Sequence, residues 1–149
     1  MGIAGQEGEL TFYEVLDPAV VASGEDSPQN LIYGLFEFDL VLPPGSQTAV
    51  WTIFLREPAP QEYRWYKYNQ ANGEWIDFDR NRISGGTGDG SEFNEARDRV
   101  TLYVTDGGAY DDDGIVNRQV SDPSGLGTAP PAGGDDSGGG CFIETVIGR

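Results

Sequence analysis

Residues 31–42 read LIYGLFEFDLVL, and within them Phe36, Phe38, Leu40 and Leu42 alternate with Glu37 and Asp39. Successive side chains of a strand point to opposite faces, so this segment has one apolar face and one acidic face. Helical winding would scatter the same residues around a cylinder and leave no continuous apolar stripe. The pattern therefore demands a sheet with one buried side. Residues 48–55 (TAVWTIFL) and 99–105 (RVTLYVT) are β-branched and apolar in the same manner, with Val100, Leu102 and Val104 on one face. In residues 9–16 (ELTFYEVL), Leu10, Phe12 and Leu16 share one parity. Residues 63–68 (YRWYKY) form a further strand, Asn72-Gly73 is a hairpin turn signal, and Trp75, Ile76 and Phe78 return on its other side.

Turn chemistry separates these runs at Pro43-Pro44-Gly45 and between Arg56 and Pro60. Ile83 reads as the start of a short additional strand, residues 85–94 as a flexible loop, and residues 115–120 as a short last segment. No stretch sustains a helical period. About six to eight short strands punctuated by Gly and Pro indicate an all-β fold, an antiparallel β-sandwich of immunoglobulin-like type, with no helix beyond about two turns. The expected core residues are Phe36, Phe38, Leu40, Trp51, Ile53, Leu102 and Val104.

Composition sets the domain plan. The 149 residues suffice for one domain, and seven Phe, seven Tyr and three Trp can fill one core. Many of the 22 glycines fall after residue 84, and residues 122–140 read DPSGLGTAPPAGGDDSGGG, a linker by composition. The expected plan is a sandwich domain over 1–122, a Gly/Pro/Asp-rich linker over 123–140, and a C-terminal strand or anchoring tail over 141–149.

Charge and missing residue types narrow the function. A net charge of −16, with a single lysine, repels nucleic-acid phosphates and attracts cations. The chain has no histidine, which removes the common general base, the common zinc ligand and the Ser-His-Asp and Cys-His systems. Cys141 is the only cysteine, so neither an internal disulfide nor a Cys₄ metal site can form. No strand-borne carboxylate pair stands out as a glycosidase site. The chain reads as a non-enzyme. It carries no signal peptide and no transmembrane run, and Met1-Gly2 reads as a fragment boundary that says little about secretion.

The densest polar cluster runs from Thr105 to Asn117, TDGGAYDDDGIVN, with Asp122 beyond it. Calcium takes six to eight oxygens, often from alternating Asp and Asn side chains on a turning backbone. Asp106, Asp111, Asp113 and Asn117 are the leading calcium ligands on that basis, with Asp112 and Asp122 in reserve. The spacing is not that of an EF-hand, whose first and twelfth positions would fall on Ala109 and Val120. The alternative is a solvated acidic turn in which Asp and Gly supply turn geometry. Tyr63, Trp65, Tyr66, Tyr68 and Trp75 surround one hairpin, either as core and cross-strand pairs or as a carbohydrate-stacking platform. Lys67 also has two readings. It is a solvated strand residue, or one side of an intramolecular amide crosslink to an Asn or Asp.

The runs YRWYKYNQANGEWIDF and RVTLYVTDGGAYDDDGIVNRQVSDPSG resemble the choice-of-anchor U domain of bacterial surface proteins. The similarity rests on Thr105 to Gly108, Asp112 to Gly114, Asn117 and Asp122-Pro123, and it covers roughly residues 30–143. Arg118 departs from it, standing where a glycine is common. Residues 138–143, GGGCFI, resemble the CFI-box tail that follows such domains, although the continuation ETVIGR is not the usual small, Ala-rich one. The resemblance implies a non-catalytic, extracellular or cell-surface module ahead of a variable anchoring tail.

Residues 142–147, FIETVI, have high β propensity. Cys141, Phe142, Ile143, Val146 and Ile147 are thus candidates for an anchoring signal or for a donated strand. In the second case the partner is another copy of the chain, added head to tail as a filament.

Overall fold

The computed structural model describes residues 2–16, 27–70 and 72–130. Among them nine strands form two sheets. The strands are β1 (Gly2–Glu7), β2 (Glu9–Leu16), β3 (Leu35–Val41), β4 (Thr48–Phe54), β5 (Arg64–Asn69), β6 (Glu74–Asp77), β7 (Gly90–Phe93), β8 (Arg99–Thr105) and β9 (Gln119–Gly127). One five-residue helix, α1 (Arg80–Ser84), lies between β6 and β7. The first sheet has the order β1-β4-β8-β7 and the second β2-β3-β9-β5-β6. Every ladder within them is antiparallel. The expected antiparallel β-sandwich is the fold.

The alternating faces make the core. Phe36, Phe38 and Leu40 of β3 meet Ala49, Trp51 and Ile53 of β4 and Val100, Leu102 and Val104 of β8 in one cluster. All seven residues expected in the core are buried. Phe38 and Trp51 join the sheets, with ring centroids 5.7 Å apart. Full burial of each such side chain is worth about 1.5–3 kcal/mol.

One strand was not anticipated, and three expectations need correction. Residues 2–7, which carry little apolar signal, form β1 by pairing with the edge of β4. Ile83 sits in α1 rather than in a strand. The stretch read as a loop over 85–94 contains β7, which pairs with β8.

The third correction matters most. The domain does not end at residue 122 with a linker from 123, because β9 runs to Gly127 as an interior strand between β3 and β5. Its Gly and Pro residues are structural. A Cβ on Gly125 would meet the Gly34 carbonyl oxygen at 2.8 Å, so glycine is what lets the neighbouring backbone approach. Pro123 is opposite Glu37 of β3, while the β5 ladder stops at Ser124. Proline, which has no N–H to give, therefore occupies a place where β5 asks for none. In β2 the register shifts between Leu10 and Phe12. Leu10 then lies opposite Leu40 but Val15 opposite Phe36, so the strand does not keep a single inward parity.

The registers also fix the two ends of the sandwich. β1 and β2 are joined by Gly8 alone, so Glu7 and Glu9 share one end and Gly2 and Leu16 the other. Gly2 is opposite Phe54, Phe54 is opposite Arg99, and Gly127 is opposite Arg64. At this end Arg97 holds the β4–β5 connection by donating to the carbonyls of Ala59 (2.9 Å) and Tyr63 (2.6 Å). The backbone enters β1 and leaves β9 at this end, here termed the entry end. The 43–47 turn, the residues flanking the β5–β6 hairpin turn (Gln70, Asn72 and Gly73) and the acidic segment 106–118 gather at the opposite, loop end. There the Asp106 N–H donates to the Gln47 carbonyl (2.9 Å), the Gln70 N–H to Asp112 Oδ1 (3.3 Å) and the Leu42 N–H to the Arg118 carbonyl (2.8 Å).

Candidate functional site: the acidic loop and a buried ion pair

The acidic segment joins β8 to β9, and most of its carboxylates bind the loop's own backbone. Asp106 is buried and accepts the N–H groups of Asn117 (3.3 Å) and Arg118 (2.7 Å). Asp111, also buried, accepts the N–H groups of Gly107 (2.9 Å) and Ser121 (3.1 Å). Asp113 accepts from the Ile115 N–H (2.9 Å) and the Asn117 amide (3.1 Å). Asn117 Oδ1 accepts the Gln119 N–H (2.9 Å). Gly107 has a φ of 75°, and a Cβ there would meet the Val116 nitrogen at 2.9 Å, so glycine is needed for the segment to fold back on itself.

The electrostatics fit this self-contained arrangement. Burial raises the pKa of Asp111 above its ordinary value, the N–H groups of Gly107 and Ser121 pull it down, and neighbouring Asp113 pushes it up again. Among the described residues, no group of three or more Asp, Glu, Cys or His side chains converges as metal ligands would. The four expected calcium ligands do lie on one loop, with their oxygens engaged by N–H donors.

Asp122, a reserve ligand in the sequence reading, is elsewhere. Val120, Asp122, Ser124 and Leu126 alternate into the core from β9, and all four are fully buried. Lys67, on β5 directly opposite Ser124, is also buried, at 2% exposure, and is not a solvated strand residue. Its Nζ lies 2.5 Å from Asp122 Oδ1, and the Ser124 hydroxyl donates to Asp122 Oδ2 at 2.8 Å. The Phe78 ring centroid is 6.0 Å from Nζ. Phe36 and Phe38, the β3 residues opposite Ser124 and Asp122, stack on each other at 5.7 Å. The result is a lysine, a carboxylate and a hydroxyl within an aromatic interior. The sequence signal for it was the parity of Val120, Asp122, Ser124 and Leu126, which the Gly and Pro content of the same stretch hid.

The aromatic hairpin splits between two environments. Trp65 is in the core, stacked on Phe36 with centroids 6.3 Å apart. Trp75 is half-buried and packs on Tyr68 at 5.0 Å. The two tryptophans do not form one exposed platform. Cys141, Phe142, Ile143, Val146 and Ile147 lie outside the described residues.

No described helix is long and apolar enough to cross a membrane. Comparison with family models, curated proteins and solved structures gives no match.

Proposed function

We propose that the chain is a non-catalytic structural module of an extracellular bacterial surface protein, which holds its loop end away from the point where the backbone enters and leaves. The observation that carries this is the common position of the Gly2 start of β1 and the Gly127 end of β9 at the entry end. A spacer joined in series would have its ends at opposite poles. A domain with both ends at one pole hangs from its attachment and presents the other pole. The backbone-bonded acidic loop gives that pole a fixed shape and a high negative charge.

Membership of the choice-of-anchor U group is part of the proposal. Arg118, the residue that departs from that pattern, has a left-handed φ of 63°. That conformation is strained for arginine and unstrained for glycine, which is a physical reason for the glycine common at this position.

An epitope inserted after Gly114 should bind antibody on intact cells that carry the chain, and one inserted after Glu57 at the entry end should bind much less. Antibody access at Glu57 alone would overturn the display reading.

Self-association is a second reading, favoured by the sheet edges β1, β2 and β6, each flanked by a strand on one side only among the described residues, whereas the outer side of β7 is bridged at Ser91 by Asp79. Strand addition by residues 141–149 would use such an edge. Deleting Cys141 to Arg149, or combining Ile143→Asp with Val146→Asp, should then leave a folded monomer by sedimentation. Unchanged oligomers after deletion would end this reading and leave the display module.

A further inference from the structure

We propose that Lys67 and Asp122 condense to an intramolecular amide, a covalent crosslink between β5 and β9 inside the core. Lys67 is the chain's only lysine, and its side chain and that of Asp122 are 3% and 0% exposed. Their Nζ to Oδ1 separation is 2.5 Å. A charge-assisted N–H···O contact is usually about 2.7–2.9 Å. Across an amide, bond lengths of about 1.33 Å for C–N and 1.23 Å for C=O put nitrogen and oxygen about 2.2–2.3 Å apart. The two groups are already in direct contact, so little movement is required.

The step balances without an oxidant or an external reagent. A proton passes from the Lys67 ammonium to Asp122 Oδ1, which leaves a neutral amine and a carboxylic acid. The Nζ lone pair then adds to Cγ, and the carbonyl π electrons move to Oδ2. The Ser124 hydroxyl already donates to Oδ2 at 2.8 Å, which is where the negative charge develops. A second proton moves from nitrogen to the Oδ1 hydroxyl, the Cγ–Oδ1 bond breaks, and water leaves. The product is a secondary amide whose oxygen is Oδ2 and which carries no charge.

Two physical effects drive the reaction forward. Two strands fixed in register hold the groups in place, and effective molarities for well-oriented partners reach about 10⁵–10⁸ M. Condensation also replaces two desolvated ions, which are costly in an apolar interior, by one neutral group. The Phe78 ring lies near Nζ, Phe36 and Phe38 lie opposite Ser124 and Asp122 in the ladder, and the near-complete burial of both side chains keeps water from hydrolysing the bond. The crosslink stands or falls independently of what the loop end displays.

The test uses the folded wild-type chain. Its intact mass should fall about 18 Da below that of the sequence, the loss of one water. A chain with several Asp-Gly pairs can lose the same mass by cyclising its backbone, so the amine count decides. In denaturant, an amine-reactive reagent should find one amine fewer than the sequence holds, and trypsin should not cut after Lys67. Lys67→Arg and Asp122→Ala should each keep the full sequence mass. Folded Ser124→Ala should lose water more slowly than wild type, and an equal rate would remove Ser124 from the step. A wild-type chain that keeps its full mass after prolonged incubation, or one that loses water while Lys67 still reacts, overturns the crosslink.

Discussion

Asp106 and Asp122 stand within one segment of the chain, both buried, yet they are satisfied in opposite ways. Asp106 accepts two backbone N–H groups from the loop it organises. Asp122 faces the core and meets only side chains, the ammonium of Lys67 and the hydroxyl of Ser124. The first arrangement is local: the partners are 11 and 12 residues away in sequence and follow from how the loop turns. The second joins strands 55 residues apart and exists only when the five-stranded sheet is assembled. A carboxylate that caps backbone N–H groups shapes a loop. A carboxylate buried against the only lysine ties strands together and leaves a stranded charge if either partner is lost.

The largest effect expected from this contrast is at the core pair. Lys67→Met leaves Asp122 buried without its cation and should cost about 3–5 kcal/mol in urea unfolding. Combining Lys67→Met with Asp122→Leu removes both charges and should recover most of that loss if the pair is ionic. If the amide is present, the double variant stays about 4 kcal/mol short, because it also loses a covalent loop of some 55 residues.

Loop carboxylates should matter less. Asp106→Ala frees the N–H groups of Asn117 and Arg118 and should cost about 1–3 kcal/mol, with sheet circular dichroism preserved. Arg118→Gly should raise stability by up to about 1 kcal/mol, since it relieves a left-handed residue while keeping the N–H that Asp106 accepts. The gain is reduced by the greater freedom of glycine in the unfolded chain.

A smaller effect concerns the acidic outer face of the second sheet. Burial first, then Asp39, Asp112 and Glu14, raise the pKa of Glu37 above its ordinary 4.5. The folded chain therefore holds this proton more tightly than the unfolded chain does. The resulting stabilisation is complete below the ordinary value and is lost as pH rises through the raised one. Glu37→Gln should consequently gain on wild type in denaturant midpoint between acidic and neutral pH, and a constant gap across that range would contradict the shift. The smallest effect expected is from calcium. With the oxygens of Asp106, Asp111, Asp113 and Asn117 engaged by N–H donors, melting in excess calcium and in chelator should agree within about one degree. A clear rise in calcium would mean that the loop rearranges to bind it.

The alternation in β3, β4 and β8 determined the fold class and seven core residues, because a period of two leaves one way to bury Phe36, Phe38, Trp51 and Leu102. The acidic segment was legible as a polar cluster with turn chemistry, since Asp-Gly spacing is a local property. Which way each carboxylate faces was not local. β9 was hidden because Pro123, Gly125 and Gly127 read as linker residues, and only the neighbouring strands turn them into assets: Gly34 and Gln29 carbonyls press where a Cβ would be, and the β5 ladder ends before the proline. With β9 unseen, Asp122 looked like a loop ligand and Lys67 like a surface residue. Local pattern decides which residues prefer to be buried, but the partner that makes burial of a charge tolerable comes from a distant strand, and only the assembled sheet brings the two together.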